Sequence, residues 1–305
     1  MVTEKLLLAT RSTLLALDGG LDAPLVECAR FDPALLGEIR SVRVAFDAAD
    51  RPLVLLGAQR GVFLQPLLAA EPEPEVYRLP GAPRGRGGVN AALLVGDRVY
   101  ATHSAHGLVA WRRGATDEAM TVFDVTVEHA DTVRAVQEDA DGRVVFAAGA
   151  RVLACDPTAT RERASPIASV AAEVLALEAR FGELVVGSRD GSLVVVRDGG
   201  REPLALASFA GHAVHSVRGV PLPGGTYYLA AARFEGLHAT NASGAQATTY
   251  RAPRTLRWVD GGVAGLWAVD DTRRRVYRWA WSDRAAPRGH VELPASAEDI
   301  CVVAV

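Results

Sequence analysis

Between Glu183 and Gly200 the sequence ELVVGSRDGSLVVVRDGG sets two runs of branched apolar residues on either side of Ser188-Arg189-Asp190-Gly191. Val185 and Val186 before the turn and Leu193 to Val196 after it favour extended backbone, and Asp190-Gly191 offers the φ > 0 positions of a tight hairpin turn. The pattern predicts a β-hairpin, and weaker copies of it recur along the chain. Ile39 to Gln65 reads as three apolar runs split by polar turns, with a fourth run at Val76 to Leu79. Val89 to Trp111 repeats the arrangement, closed by Thr121 to Val125, and four further stretches begin near residues 132, 173, 214 and 255. Helical periodicity is nearly absent.

The second strands of these six units centre on Val54, Val99, Val145, Val185, Leu229 and Leu266, at intervals of 37 to 46 residues. That is the period of four-stranded propeller blades. Runs such as PLVLLG, RVVFAAG and TYYLAAA are continuously apolar, as expected of sheets covered on both faces by their neighbours. Two leftover fragments complement each other. KLLLAT and TLLALD form a second-to-third-strand hairpin with Leu25 to Ala29 as its fourth strand, and the C-terminal DICVVAV is a first strand with nothing after it. Joined, they predict a seventh blade, which removes the open edges of an unclosed array. The reading is therefore all-β: one seven-bladed β-propeller of four-stranded antiparallel blades spanning 1–305. Its blades are 39–79, 89–125, 132–168, 173–208, 214–250 and 255–293, with 1–31 plus 298–305 closing the ring. Six blades or an open solenoid are the alternatives.

Ser188 to Ser192 followed by LVVVRD resembles the hairpin of WD-repeat propellers, and Gly211-His212 before AVHSV resembles their Gly-His signal; His129 to Val133 is a fainter echo. Arg197-Asp198 and Cys155-Asp156 stand where that family carries Trp-Asp. The resemblance implies a scaffold that presents loops to partners. It also implies a geometry in which the loops entering the innermost strands and the second-to-third-strand turns share one face.

Composition narrows the class. The chain has 305 residues, a net charge of -3, 49% hydrophobic and 23% charged residues, an ordinary globular balance. Lys5 is its only lysine, so positive charge is almost entirely arginine, whose planar fork suits carboxylate and phosphate. Cys28, Cys155 and Cys301 are far apart with no CxxC pair, which argues against a disulfide framework or a cysteine zinc site. The N-terminal apolar run is broken by Arg11, Ser12 and Asp18, and no run approaches the roughly 18 apolar residues of a membrane helix. A cytoplasmic protein without membrane contact is expected.

Placed on the implied geometry, the charges separate. The second-to-third-strand turns carry Arg11, Arg60, His103 with His106, Arg151, Arg189, Arg233, and Arg273 with Arg274. The position just inside each first strand reads Arg40, Asn90, Arg134, Leu175, His215, Arg257 and Cys301 and should ring the channel mouth on the same face. Arg84 and Arg86, in the long insertion Ala70 to Gly88, arrive there too. Asp190, Glu235, Asp270 and Asp271 would partly cancel the field, and near the mouth only Asp299 and Glu173 are acidic. The opposite turns hold Asp47, Asp50, Asp97, Glu138, Asp139, Asp141 and Glu183, residue types that tight turns favour for local reasons.

An arginine-lined funnel would steer an acidic partner. Phe234 beside Arg233 and Trp258 beside Arg257 are candidate anchors, with blade packing as their other reading. His103-x-x-His106 could offer two nitrogen ligands, but no third ligand is evident, and no GxSxG elbow or phosphate loop occurs. Neither a metal nor another cofactor is expected. The sequence therefore points to a noncatalytic interaction scaffold or recognition subunit that binds an acidic protein segment at this face. A phosphate-backbone-binding propeller ranks second, because net charge is negative and stacking aromatics are few. A propeller hydrolase with a channel-mouth site ranks third.

Overall fold

The computed structural model describes residues 4–18, 20–67, 73–81, 87–125, 132–157, 164–180, 182–197, 203–209, 211–232 and 236–304. Within them the strands form seven four-stranded antiparallel sheets arranged as a ring. Six sheets are consecutive in sequence. The seventh joins the C-terminal strand Ala297–Ala304 to Glu4–Thr10, Thr13–Asp18 and Leu25–Arg30. Leu7 lies opposite Cys301 and Leu8 opposite Ile300, so the two ends of the chain close the ring as the leftover fragments predicted. The one helix among the described residues is the single turn Pro33–Leu36, capped by the Asp32 carboxylate, which accepts from the Ala34 N–H.

The continuous apolar runs have a direct structural cause. Among the described residues the core divides into seven clusters, each spanning one junction between neighbouring blades. A strand such as Pro52–Ala58 sends Val54 and Leu56 into the junction with the closing blade, and Leu53 and Leu55 into the junction with the next blade. Both sets of side chains are therefore apolar, and period-2 alternation is lost. The junctions widen outward, and large side chains fill them there. Trp111 and Trp279 are fully buried, with indole N–H groups donating to Arg78 O and Arg251 O at 3.0 and 3.1 Å.

The opening hairpin is present with its strands at Glu183–Ser188 and Ser192–Arg197. Its turn differs from expectation in one detail. Only Gly191 takes a positive φ, 91°, while Asp190 accepts from the Ser192 N–H at 3.0 Å. Asp190 thus serves the turn by side-chain capping. Gly107, which starts a third strand, is more constrained: at φ 78° an added Cβ would sit 1.9 Å from Phe123 O.

The innermost strands are Ile39–Phe46, Val89–Val95, Val133–Glu138, Val174–Arg180, Val214–Leu222, Leu256–Gly262 and Ala297–Ala304. Each carries a register shift at the same place, beside its second residue. A bulge there releases that residue from the pairing ladder and lets the strand bend at the rim. Repeated seven times, it builds a ring of seven outward-released positions at one end of the channel.

Candidate functional site

The seven bulged positions are Arg40, Asn90, Arg134, Leu175, His215, Arg257 and Glu298. Six agree with the sequence-derived mouth. The seventh is a correction: the closing strand starts at Ala297, earlier than DICVVAV suggested, so Glu298 takes the mouth position and Cys301 lies three residues deeper. Arg40, Asn90, Arg134 and His215 converge on one cavity of about 90 Å³, together with Trp258 and Asp299. Arg257 stands beside this opening with its guanidinium carbon 4.9 Å from the Trp258 ring centroid, and Arg273 approaches the same ring at 5.5 Å. Both distances lie within cation–π range.

The arginines are not bare. Glu38 and Glu298 together bind three of them. Arg40 pairs with Glu38 at 2.9 Å and Glu298 at 3.5 Å, Arg11 with Glu38 at 3.3 Å and Glu298 at 3.5 Å, and Arg273 with Glu298 at 2.8 Å. Glu173 binds two, Arg134 at 2.7 Å and Arg189, and also accepts from the Thr132 hydroxyl. Burial raises the Glu173 carboxyl, but Arg134, Thr132 and Arg189 outweigh that and hold it below its ordinary value. Each cluster has one guanidinium more than it has carboxylates, so each keeps a net charge of about +1. The sequence placed only Asp299 and Glu173 near this mouth. Glu298 was missed because its partners Arg11, Arg40 and Arg273 are distant in sequence, and Glu38 because it precedes its strand and also bridges to the distant Arg11.

Other rim residues divide by role. Arg60 donates to Pro33 O and Ala34 O at 3.2 and 2.6 Å, closing the open end of the short helix. Arg274 donates to Pro294 O at 3.2 Å. Arg151 opens the strand Arg151–Cys155 and is half-buried. Arg84, Arg86, Arg233 and Phe234 lie outside the described residues.

His103 and His106 stack at 4.8 Å between ring centroids. His103 is fully buried, its Nδ1 accepts from the Ala105 N–H at 3.0 Å, and its Nε2 has no hydrogen-bond partner. Burial, reinforced by His106, drives the His103 imidazole down to about 4. No group of three or more His, Cys, Asp or Glu side chains is placed to hold a metal among the described residues. Because the folded state disfavours the imidazolium, the unfolded chain binds a proton near pH 6.5 that the native protein refuses until about pH 4. Stability is therefore expected to fall as pH drops from 6.5 to 4, by up to about 3 kcal/mol from this group. Denaturant titrations across that window should show His103→Asn with a visibly flatter acid dependence. An unchanged slope would remove His103 as its source.

Three residues beyond each bulged position lies a second ring at the waist of the channel: Arg43, Leu93, Gln137, Glu178, Arg218, Asp260 and Cys301. Sequence reasoning missed it, because the seven positions share no residue type. Arg218 is 11% exposed at its side chain and lies 3.7 Å from Asp299 and 3.9 Å from Asp260. Arg43 pairs with Asp299 at 3.1 Å, and Glu178 accepts from Gln137 and Arg180, both at 3.2 Å. Asp260 and Asp299 also cross blade junctions. Asp260 accepts from the Val302 N–H at 2.8 Å, and Asp299 accepts from the Val42 N–H at 3.1 Å. These two carboxylates clasp the closing strand to both neighbours. Burial pushes the Asp260 carboxyl up to about 6 despite Arg218 and two backbone donors, and burial pushes the Cys301 thiol up to about 12. Cys301 is therefore a protonated thiol at neutral pH.

The opposite rim behaves as turn chemistry. Asp47 binds the Arg51 guanidinium and the backbone N–H groups of Arg51 and Ala49, which lower its carboxyl to about 2. Asp139 repeats the arrangement with Arg143 and the N–H groups of Arg143 and Asp141.

No protein-family model matches the sequence, and no curated protein matches it. Solved structures do share the fold. The WD40 β-propeller domain of Doa1 superposes with a TM-score of 0.63 at 14% identity, over 87% of this chain and 85% of that one. A chain of the mitotic checkpoint complex gives 0.63 at 10% identity, covering 84% and 81%. The computationally designed Ika8 protein gives 0.61 at 12% identity, covering 97% and 87%. At these identities the likeness is one of architecture: the chain is a seven-bladed propeller similar in fold to WD40 domains.

Proposed function

We propose that this propeller is a noncatalytic protein-interaction scaffold whose arginine-bearing face holds an acidic segment of a partner protein. The observation that carries this reading is the stoichiometry of the two mouth clusters. Three arginines share Glu38 and Glu298, and two share Glu173, so the internal carboxylates fix the guanidinium groups in place without neutralising them. A guanidinium has five donors and one carboxylate engages two of them at most, so Arg134, Arg189 and Arg273, each paired with a single carboxylate, keep donors for a second acid. Trp258, flanked by Arg257 and Arg273, adds an amphipathic surface beside the opening. The likeness in fold to the WD40 domain of Doa1 and to a chain of the mitotic checkpoint complex agrees with a scaffold role. None of Cys28, Cys155 and Cys301 is joined in a disulfide, which suits a cytoplasmic setting.

The test is direct binding of a fluorescein-labelled oligoglutamate peptide and, in parallel, of single-stranded RNA and DNA of equal charge. The peptide is expected to bind with an affinity that falls as salt rises. Changing Arg40, Arg134 and Arg257 together to Ala should weaken it roughly 10- to 50-fold, since exposed pairs contribute about 0–1 kcal/mol each. Binding of nucleic acid alone, with a steep logarithmic salt slope, would replace this reading with the phosphate-backbone one. Equal peptide affinity in the triple variant would move the interface elsewhere on the ring.

A further inference from the structure

At the end of the channel away from the arginine mouth, the inner strands enclose a cavity of about 490 Å³. That volume lies within the roughly 300–1,000 Å³ typical of small-molecule sites. Its walls are apolar, including Val44, Leu93, Val220, Pro221 and Val302. Its lip carries Phe46 and Val263, which are 53% and 62% exposed and are among the few large apolar side chains left in solvent among the described residues. Its floor is the waist ring.

That floor contains an unsatisfied donor. Arg218 Nη1 donates to Val217 O at 2.9 Å, but Nε has no hydrogen-bond partner, and its nearest carboxylate oxygen, on Asp260, is 3.9 Å away. A buried guanidinium N–H left unmade is costly, and a ligand acceptor would relieve it. The charges around the cavity balance. Arg43, Arg180 and Arg218 face Glu4, Glu178 and Asp260. A ligand with net charge of either sign would meet like charges at short range in a desolvated space, whereas a neutral one would not.

We propose that this cavity is a binding site for a neutral amphipathic small molecule, with an apolar body along the strand walls and a carbonyl-type acceptor directed at Arg218. The waist residues Arg43, Gln137 and Arg218 border both this cavity and the mouth cavity, but Arg40, Arg134 and Arg257 do not line it, so the peptide and dye experiments test the two proposals through different residues.

The probe is 6-propionyl-2-(dimethylamino)naphthalene, a neutral aromatic ketone whose emission shifts to the blue on leaving water. The comparison dye is 1-anilinonaphthalene-8-sulfonate, which is anionic. The ketone is expected to bind saturably at one site per chain with a blue shift, and more tightly than the sulfonate. Arg218→Lys keeps the charge but loses the fork, and should weaken the ketone about 10- to 100-fold, the loss of one hydrogen bond to a charged donor. Ala304→Trp places a bulky ring at an exposed position on the cavity lining and should abolish binding without changing the fold. Absence of saturable binding, tighter binding of the sulfonate, or undiminished affinity in Ala304→Trp would each overturn the proposal. If Arg218→Lys fails to fold, Ala304→Trp decides alone.

Discussion

Removal of residues 297–305 is expected to abolish the cooperative unfolding transition and leave an aggregating chain. The strand Ala297–Ala304 is the innermost member of the closing blade and pairs along its length with Glu4–Thr10. Ala297 and Ile300 are fully buried and Val303 nearly so, and they serve junctions on both sides. Full burial of a branched apolar side chain is worth about 1.5–3 kcal/mol, so Ile300 and Val303 alone approach the lower end of the 5–15 kcal/mol that stabilises a typical domain. The deletion also exposes an unpaired edge of Glu4–Thr10, opens two blade junctions and removes the Asp299 clasp on Val42. Calorimetry and size-exclusion chromatography check the outcome. A truncated chain with an unchanged melting transition would contradict the closure.

Arg218→Met should lower stability by about 3–5 kcal/mol at neutral pH, the loss observed when one partner of a buried ion pair is removed and the other stays charged. Met fills the apolar part of the space, so the effect reports mainly on Asp260 and Asp299, left on neighbouring inner strands without a shared cation. The direction with pH is fixed by Asp260. Its folded carboxyl already titrates near 6, above its ordinary value, so the native state gains protons that the unfolded state has released between about pH 4 and 6. Loss of Arg218 raises that carboxyl further. The stability deficit of the variant should therefore shrink as pH falls from 7 to 5. Adding Asp260→Asn to Arg218→Met should recover part of the deficit, because it removes the charge left unpaired. Urea titrations of the wild type and the two variants at pH 7 and 5 measure both effects. A loss below about 1 kcal/mol at pH 7 would mean that water already solvates this network.

The blade count and ring closure were legible because a buried sheet needs apolar residues on both faces at a fixed period, a signal spread over many positions and resistant to local exceptions. Six of seven mouth positions followed from that alignment, since an inner strand can be recognised by its first buried residue, as with Val89 before Asn90 or Val214 before His215. The closing strand failed because Ala297-Glu298 reads as polar lead-in, although both residues are buried. The electrostatics were less accessible. Arg40 and Glu298 meet across 258 residues of sequence, and a turn pattern carries no information about such a partner. The arginine face was thus expected as an exposed positive funnel and is found as a set of braced guanidinium groups with a smaller net charge. The waist ring was invisible for a different reason: the seven positions mix cations, acids, an amide, a thiol and leucine, and only coordinates reveal that they share a level.

Glu4 lies directly opposite Ala304 in the closing blade. The first and last described residues are therefore neighbours, and the ring has a seam but no topological beginning. A short linker across that seam would leave every strand pairing intact, and new ends could be cut into any loop that joins an outermost strand to the next innermost one. Which blade is counted first is then a matter of where the seam is placed, and the same seven junctions would assemble from any of seven starting points.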